Sequence, residues 1–251
     1  MIPKTIHYCW FGRNPLPPSA VKCINSWRRF FPGYEIKEWN EDNFDVNIIP
    51  YTAEAYQAKK YAFVSDYARF WILYHYGGVY FDTDVEVIKP MDDIIERGPF
   101  MGIEVIDVGM FANYPMVNPG IGMGAETKMD FYRRMLEAYS DQHFEYDNGR
   151  VYDKGVVSRT TELLIDAGLQ PGNSYQVISS INIYPSDFFN PYDDLTGRLK
   201  ETNNTKSIHW YAASWQNRNQ LLWKISQLIH RCVGLFFYRI KQSIRRKNCL
   251  I

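Results

Sequence analysis

Apolar and polar positions follow two different periods along this 251-residue chain, and the switches between them mark out alternating strands and helices. Residues 5–10 form a short apolar run closed by Gly12 and Asn14-Pro15-Leu16-Pro17-Pro18, which predicts a buried strand and then a loop. Ser19 stands where a cap would start a helix running to about Phe31, with Val21, Ile24, Trp27 and Phe31 on one face. Pro32-Gly33 ends it, and residues 34–39 alternate as a second strand. A strand–helix–strand opening favours a mostly parallel sheet with helices on its faces. Residues 58–76 read as one long, largely buried helix stopped by Gly77-Gly78. A strand over 79–81 then meets Asp82-Thr83-Asp84, followed by a strand at 85–88 and a turn at Pro90. Further strands are predicted at 100–106, 115–118, 181–184 and 207–210, and helices at 128–139 and 158–167. Residues 219–247 predict one or two more helices. The chain therefore divides into a principal domain over 1–218 and a helical region over 219–251.

Composition narrows the class. Apolar residues make up 46% and charged residues 22%, which suits a folded globular protein. The formal net charge is zero, which speaks against non-specific nucleic-acid binding. That average conceals a polarity: residues 221–251 hold seven cations (Lys224, Arg231, Arg239, Lys241, Arg245, Arg246 and Lys247) and no acid, leaving minus seven on 1–220. Mixed with apolar residues at helical spacing, these cations read equally as a membrane-facing amphipathic segment or as a helix packed on the core. Cys9, Cys23, Cys232 and Cys249 form no CxxC pair, no zinc knuckle and no disulfide framework. With neither a secretory signal nor a run of about 20 apolar residues, the expectation is a cytoplasmic protein.

Asp82 and Asp84 are the chemical centre. On an extended strand, residues two apart point to one side, about 7 Å from each other. Two carboxylates at a strand end can share one hard divalent cation, and oxygen ligands favour Mg²⁺ or Mn²⁺. Such an ion neutralises the charge that develops on a departing diphosphate. Two rival chemistries fit less well. The aspartyl phosphatase pattern wants Thr or Val two residues past the second acid, where this chain has Glu86. Glycoside hydrolysis needs two carboxyl groups from separated positions flanking one bond.

Three segments together resemble the glycosyltransferases with a DXD-containing sugar-binding region, which include capsular polysaccharide enzymes, fungal initiating mannosyltransferases and, more distantly, clostridial glucosylating toxins. They are Ile2-Pro3-Lys4-Thr5-Ile6-His7-Tyr8-Cys9-Trp10-Phe11-Gly12, Ser65-Asp66-Tyr67-Ala68-Arg69 through Gly77-Gly78-Val79-Tyr80-Phe81-Asp82-Thr83-Asp84, and His209 through Ser214-Trp215. The resemblance implies a GT-A nucleotide-diphospho-sugar transferase fold: a mixed, mostly parallel central sheet flanked by helices, here with a C-terminal helical extension. It implies a retaining, metal-dependent transfer of a hexose or N-acetylhexosamine from a nucleotide-diphosphate sugar, with UDP favoured.

Site roles follow from the same resemblance. Asp82, Asp84 and His209 would hold the metal, the imidazole tilting preference to Mn²⁺ over Mg²⁺. Asp66 and Arg69, three apart on a helix, would bind donor-sugar hydroxyls. Cys9, Trp10 and Tyr80 would line the donor pocket, with Ser214 and Trp215 donating to the diphosphate and Asn118 contacting donor or acceptor. The acceptor would be a saccharide, lipid-linked in capsule or O-antigen assembly, with residues 221–251 touching the inner face of the cell membrane. The stretch Ser158-Arg159-Thr160-Thr161 lacks the family's Gly-Pro turn, so the acceptor side departs from the pattern. Two alternatives remain at this point. One is a non-catalytic sugar-nucleotide or glycan binder on the same fold. The other, a nucleotidyl- or phosphotransferase, lacks a convincing phosphate loop in Phe11-Gly12-Arg13-Asn14-Pro15.

Overall fold

The computed structural model describes residues 1–106, 114–144, 155–212 and 220–233. In chain order the elements are β1 (Thr5–Cys9), α1 (Pro18–Phe30), β2 (Glu35–Trp39), α2 (Pro50–Gln57), α3 (Tyr61–Tyr76), β3 (Gly78–Tyr80) and β4 (Val85–Val87). There follow α4 (Asp92–Glu96), β5 (Phe100–Ile106), β6 (Pro115–Ala125), α5 (Asp130–Glu137), α6 (Val156–Asp166), β7 (Gln176–Ile178) and β8 (Ile181–Tyr184). The described chain closes with α7 (Ser186–Phe189), β9 (Tyr192–Asp193), β10 (Arg198–Leu199), β11 (Ser207–His209) and α8 (Gln220–Val233).

The central sheet has seven strands in the order β2-β1-β3-β6-β5-β8-β7. The pairs β1–β2, β1–β3 and β5–β8 are parallel, while β6 and β7 run against their neighbours. The sheet is thus mixed with most strands in one direction, as expected. Each face carries its own core. On one side Trp39, Tyr67, Phe70, Leu73, Tyr80 and Met123 pack with α2, α3, α5 and α6. On the other, Ile6, Trp27, Val79, Phe81, Val85 and Phe100 pack under α1 and α4. β3 shows the period-two rule in miniature: Val79 and Phe81 enter one core and Tyr80 the other.

Four expectations need correction. Ser19 does not cap α1; Pro17 occupies that place with no side-chain cap, because Pro18 starts the helix with a pre-set φ and no amide to satisfy. The buried face is Ala20, Cys23, Ile24 and Trp27, and Val21 is 41% exposed. The helix expected over 58–76 starts only at Tyr61, since Lys59 at φ +58° cannot sit in a right-handed helix, and a separate helix, α2, precedes it. The strand at 115–118 runs on to Ala125 through a glycine-rich stretch. There, a Cβ at Gly124 would lie 2.4 Å from the Phe100 ring, so the missing side chain makes room for an aromatic one. The helical region over 219–251 is described only as α8; residues 234–251 lie outside the described residues.

Candidate active site

β3 lies near the middle of the sheet, between β1 and β6, and delivers the chain to Asp82. Asp82 falls on the same side as Tyr80, whose hydroxyl donates to Asp82 Oδ1 at 3.0 Å. α3 packs across that side. Its Arg69 donates to Asp82 Oδ2 from Nη1 at 3.4 Å, with Nη2 3.2 Å from Oδ1. The same guanidinium pairs with Asp66 Oδ1 at 3.0 Å, one turn earlier on the helix. Arg69 is 4% exposed and Asp66 9%. Its Nε donates to the Ser65 carbonyl at 3.0 Å, and the guanidinium carbon stands 5.1 Å from the Tyr80 ring centroid. This is a buried cation bound on several sides and flanked by two acids.

Electrostatics follow from that burial. Burial pushes the Asp66 carboxyl up to about 6, against the opposing pull of Arg69. For Arg69 burial works against the charged form, but Asp82, Tyr80 and Asp66 overcome it and hold the guanidinium charged. Burial also drives the Cys9 thiol, at the end of β1, up to about 12, so it stays protonated beside Arg69 and Tyr80.

Asp82 and Asp84 do not flank one face of a strand as the sequence suggests. The Val85 amide donates to the Asp82 carbonyl at 3.0 Å, closing a turn that sends the two carboxylates to different partners. Asp84 meets β11, which pairs antiparallel with β4 and ends at His209. His209 Nε2 is 3.4 Å from Asp84 Oδ1, and the Ala212 amide donates to Asp84 Oδ2 at 2.9 Å. Burial opposes charge on both groups. Their mutual attraction wins, holding His209 up to about 9 and Asp84 below the usual carboxylate range. The His209 ring packs at a tilt against Tyr211 with centroids 4.1 Å apart. Its Nδ1 is buried without a hydrogen-bond partner among the described residues.

These residues fit a divalent cation held jointly with a ligand. Two donors about 2.0–2.2 Å from one ion at roughly a right angle lie about 3 Å apart, close to the observed Asp84–His209 spacing. Among the described residues no three His, Cys, Asp or Glu side chains converge to cage an ion unaided. Substrate phosphate oxygens commonly complete such a shell. Asp82, engaged by Arg69 and Tyr80, stands beside that pair, near enough to help keep His209 charged, and a cation held there would take the place of the imidazolium proton.

The other predicted residues fall in different places. Asn118 is 7% exposed, and its Oδ1 accepts from the Gly120 amide at 2.7 Å; the Gly120 carbonyl in turn accepts from the Asp82 amide at 3.0 Å. It therefore holds the backbone that holds Asp82. Trp10 gives its indole N–H to the Asn14 carbonyl at 2.6 Å and packs against the α1-side core. Ser214 and Trp215 lie outside the described residues. Sequence reasoning missed Gly120, where a Cβ would sit 2.0 Å from Asp82 Oδ2. It also missed Tyr211, packed on the His209 ring, and Glu104, whose charge helps hold His209 protonated; nothing in local sequence links either to His209.

Residues 17–101 match the glycosyltransferase sugar-binding region containing the DXD motif. That match contains Asp66, Arg69, Tyr80, Asp82 and Asp84, and stops well before His209. Among curated relatives, inositol phosphoceramide mannosyltransferase 1 of Schizosaccharomyces pombe is 32% identical over 111 residues, 40% of this chain and 33% of that protein. An uncharacterised glycosyltransferase of Acanthamoeba polyphaga mimivirus is 32% identical over 120 residues, 45% of this chain and 47% of the relative. The chain thus spans a third to a half of the length of these two proteins. The solved PaToxG glycosyltransferase superposes with a TM-score of 0.51 at 17% identity, over 66% of this chain and 69% of that one. At that identity the likeness speaks for the fold alone, and the fold is the GT-A arrangement expected from the sequence.

Proposed function

We propose that this protein is a glycosyltransferase that takes its sugar from a nucleotide-diphosphate donor and passes it to a saccharide acceptor. The observation that carries this reading is the pair of clusters around the turn after β3: Asp66–Arg69–Asp82–Tyr80 on one side and Asp84–His209 on the other. A non-catalytic sugar-nucleotide binder has no need of the second cluster.

Asp84 and His209, joined by Asp82 nearby, would hold Mn²⁺ or Mg²⁺. When bound, the ion neutralises charge on the departing diphosphate. The residues of this chain do the remaining work. Asp66, buried and facing the Arg69 guanidinium, accepts hydrogen bonds from donor-sugar hydroxyls once ionised. Arg69 fixes the orientation of both carboxylates and lends positive charge to the donor side. Cys9 and Tyr80 close that pocket with neutral groups, and Asn118 and Gly120 keep Asp82 aimed.

Finer points rest on the resemblance alone: retention at the anomeric carbon, a hexose or N-acetylhexosamine, a uridine donor and a lipid-linked acceptor of capsule or O-antigen type; the cytoplasmic setting rests on the sequence pattern. Inositol phosphoceramide mannosyltransferase 1 of Schizosaccharomyces pombe is named for a lipid acceptor, which supports an acceptor carried on a lipid here.

The deciding experiment is a panel of sugar nucleotides with Mn²⁺, scored for nucleoside diphosphate release with and without acceptor sugars. Asp84→Ala is expected to abolish release and Mn²⁺ binding with the circular dichroism spectrum retained, at a lowered melting midpoint because His209 loses its buried partner. Substantial turnover in that variant would sink the assignment.

A further inference from the structure

We infer that α8 seats the protein on an anionic membrane surface, with the His209 wall of the site next to the lipid headgroups. The purpose of such seating rests on the transfer reading above, but its observable does not.

α8 is fixed to the domain by one face. The Trp223 indole donates to Asp194 Oδ1 at 3.2 Å, and the Gln227 amide donates to the Asp194 carbonyl at 2.8 Å and the Tyr192 hydroxyl at 3.1 Å. The opposite face presents Leu222 (64% exposed), Ile225 (45%) and Leu228 (56%), spaced three apart with exposed Lys224 among them. Large apolar side chains grouped on a helix that is already anchored elsewhere are costly in water and suit an apolar layer.

The charge pattern selects the partner. Residues 221–251 carry seven cations and no acid, while the rest of the chain carries minus seven. A helix presenting leucine and isoleucine beside Lys224, in a stretch whose seven formal charges are all positive, matches a bilayer rich in anionic headgroups, where charge draws the segment in and apolar burial holds it. No described helix is long and apolar enough to cross a membrane, so the helix would lie in the interface.

Position supplies the functional point. Tyr192, which receives Gln227, packs at a tilt against Trp210 at 5.4 Å and approaches Tyr211 at 6.4 Å; Tyr211 packs against His209. A short series of packed rings therefore joins the α8 anchor to the candidate metal ligand. Seating α8 on lipid would present this wall of the site to an acceptor that cannot leave the membrane.

The full chain should float with vesicles of phosphatidylcholine plus phosphatidylglycerol. Its partition coefficient on phosphatidylcholine alone should be at least about tenfold lower, and raised salt should weaken the anionic binding. L222E/I225E/L228E should lower binding to the anionic vesicles at least about tenfold, with nucleotide-sugar turnover on a water-soluble acceptor and the melting midpoint unchanged. A second variant, with Arg245, Arg246 and Lys247 each changed to Gln, tests the electrostatic half without touching α8. Equal vesicle binding by wild type and L222E/I225E/L228E would overturn the inference. So would a concentration-dependent dimer that these substitutions dissolve, because the apolar face would then belong to a second copy. Loss of turnover with vesicle binding intact would count against the transfer reading alone.

Discussion

Arg69 Nη2 lies 3.0 Å from Asp66 Oδ1 and 3.2 Å from Asp82 Oδ1, so one buried guanidinium separates two carboxylates that would otherwise face each other. Its value is clearest in its removal. With both acids left in place, the charges that remain are uncompensated, and a broken buried pair costs about 3–5 kcal/mol.

Arg69→Ala should therefore lower the urea midpoint by an amount equivalent to roughly 3 kcal/mol and weaken donor binding. Asp66→Asn should recover part of the stability in the double variant, because it removes one of the stranded charges. Equal stability of wild type and Arg69→Ala would show that Asp66 and Asp82 are neutral or solvated, contrary to the geometry.

Gly120→Ala tests the placement of Asp82 against Arg69 without removing a charge. The added methyl would meet Asp82 Oδ2 at 2.0 Å and Cγ at 2.9 Å, so the carboxylate must swing away from Arg69 and Tyr80. A displacement near 1 Å in a catalytic group costs about a hundredfold in rate, and a loss of that order in turnover is expected. Full activity in Gly120→Ala would mean that the position of Asp82 is unimportant.

His7 makes stability fall in mild acid. The Trp39 indole N–H donates to His7 Nδ1 at 3.0 Å, which leaves Nε2 to donate to the Gly77 carbonyl at 3.0 Å. Both nitrogens are committed in the neutral ring, and burial lowers its pKa from 6.5 to about 4. The unfolded chain takes up a proton over that interval and the folded one does not. Stability contributed by His7 is therefore complete above pH 6.5 and drains away towards pH 4, by about 1.4 kcal/mol per unit and roughly 3 kcal/mol in all. In urea titrations between those values, His7→Gln should be less stable at neutral pH but show a shallower slope. Parallel slopes would remove His7 as the cause.

Local signals in the sequence account for most of the frame. β5 and β8 fall where their apolar runs place them, and Gly77, at φ +63°, ends α3 as the paired glycines suggest. Asp66 and Arg69 share a face because three residues on a helix always do. What could not be read was long-range or steric. Extended-strand spacing described Asp82 and Asp84 until the Val85–Asp82 turn hydrogen bond changed their directions. The glycines of β6 look like breakers until Phe100 and Asp82 are seen occupying their empty side-chain space. Asn118 was expected to contact donor or acceptor, but its job of carrying Gly120 needed the fold of β6 against β3.

The two halves of the site also differ in how far the chain must travel to build them. Arg69 reaches Asp82 across 13 residues, whereas Asp84 meets the Ala212 amide across 128. Loop-closure entropy makes the second encounter about 2 kcal/mol harder than the first. The α3–β3 hairpin can consequently form its charged centre early, with the β11 strand arriving as a late arm. Substitutions near Arg69 would then slow refolding while those around Tyr211 mainly hasten unfolding, and the reverse pattern in stopped-flow traces would contradict that order.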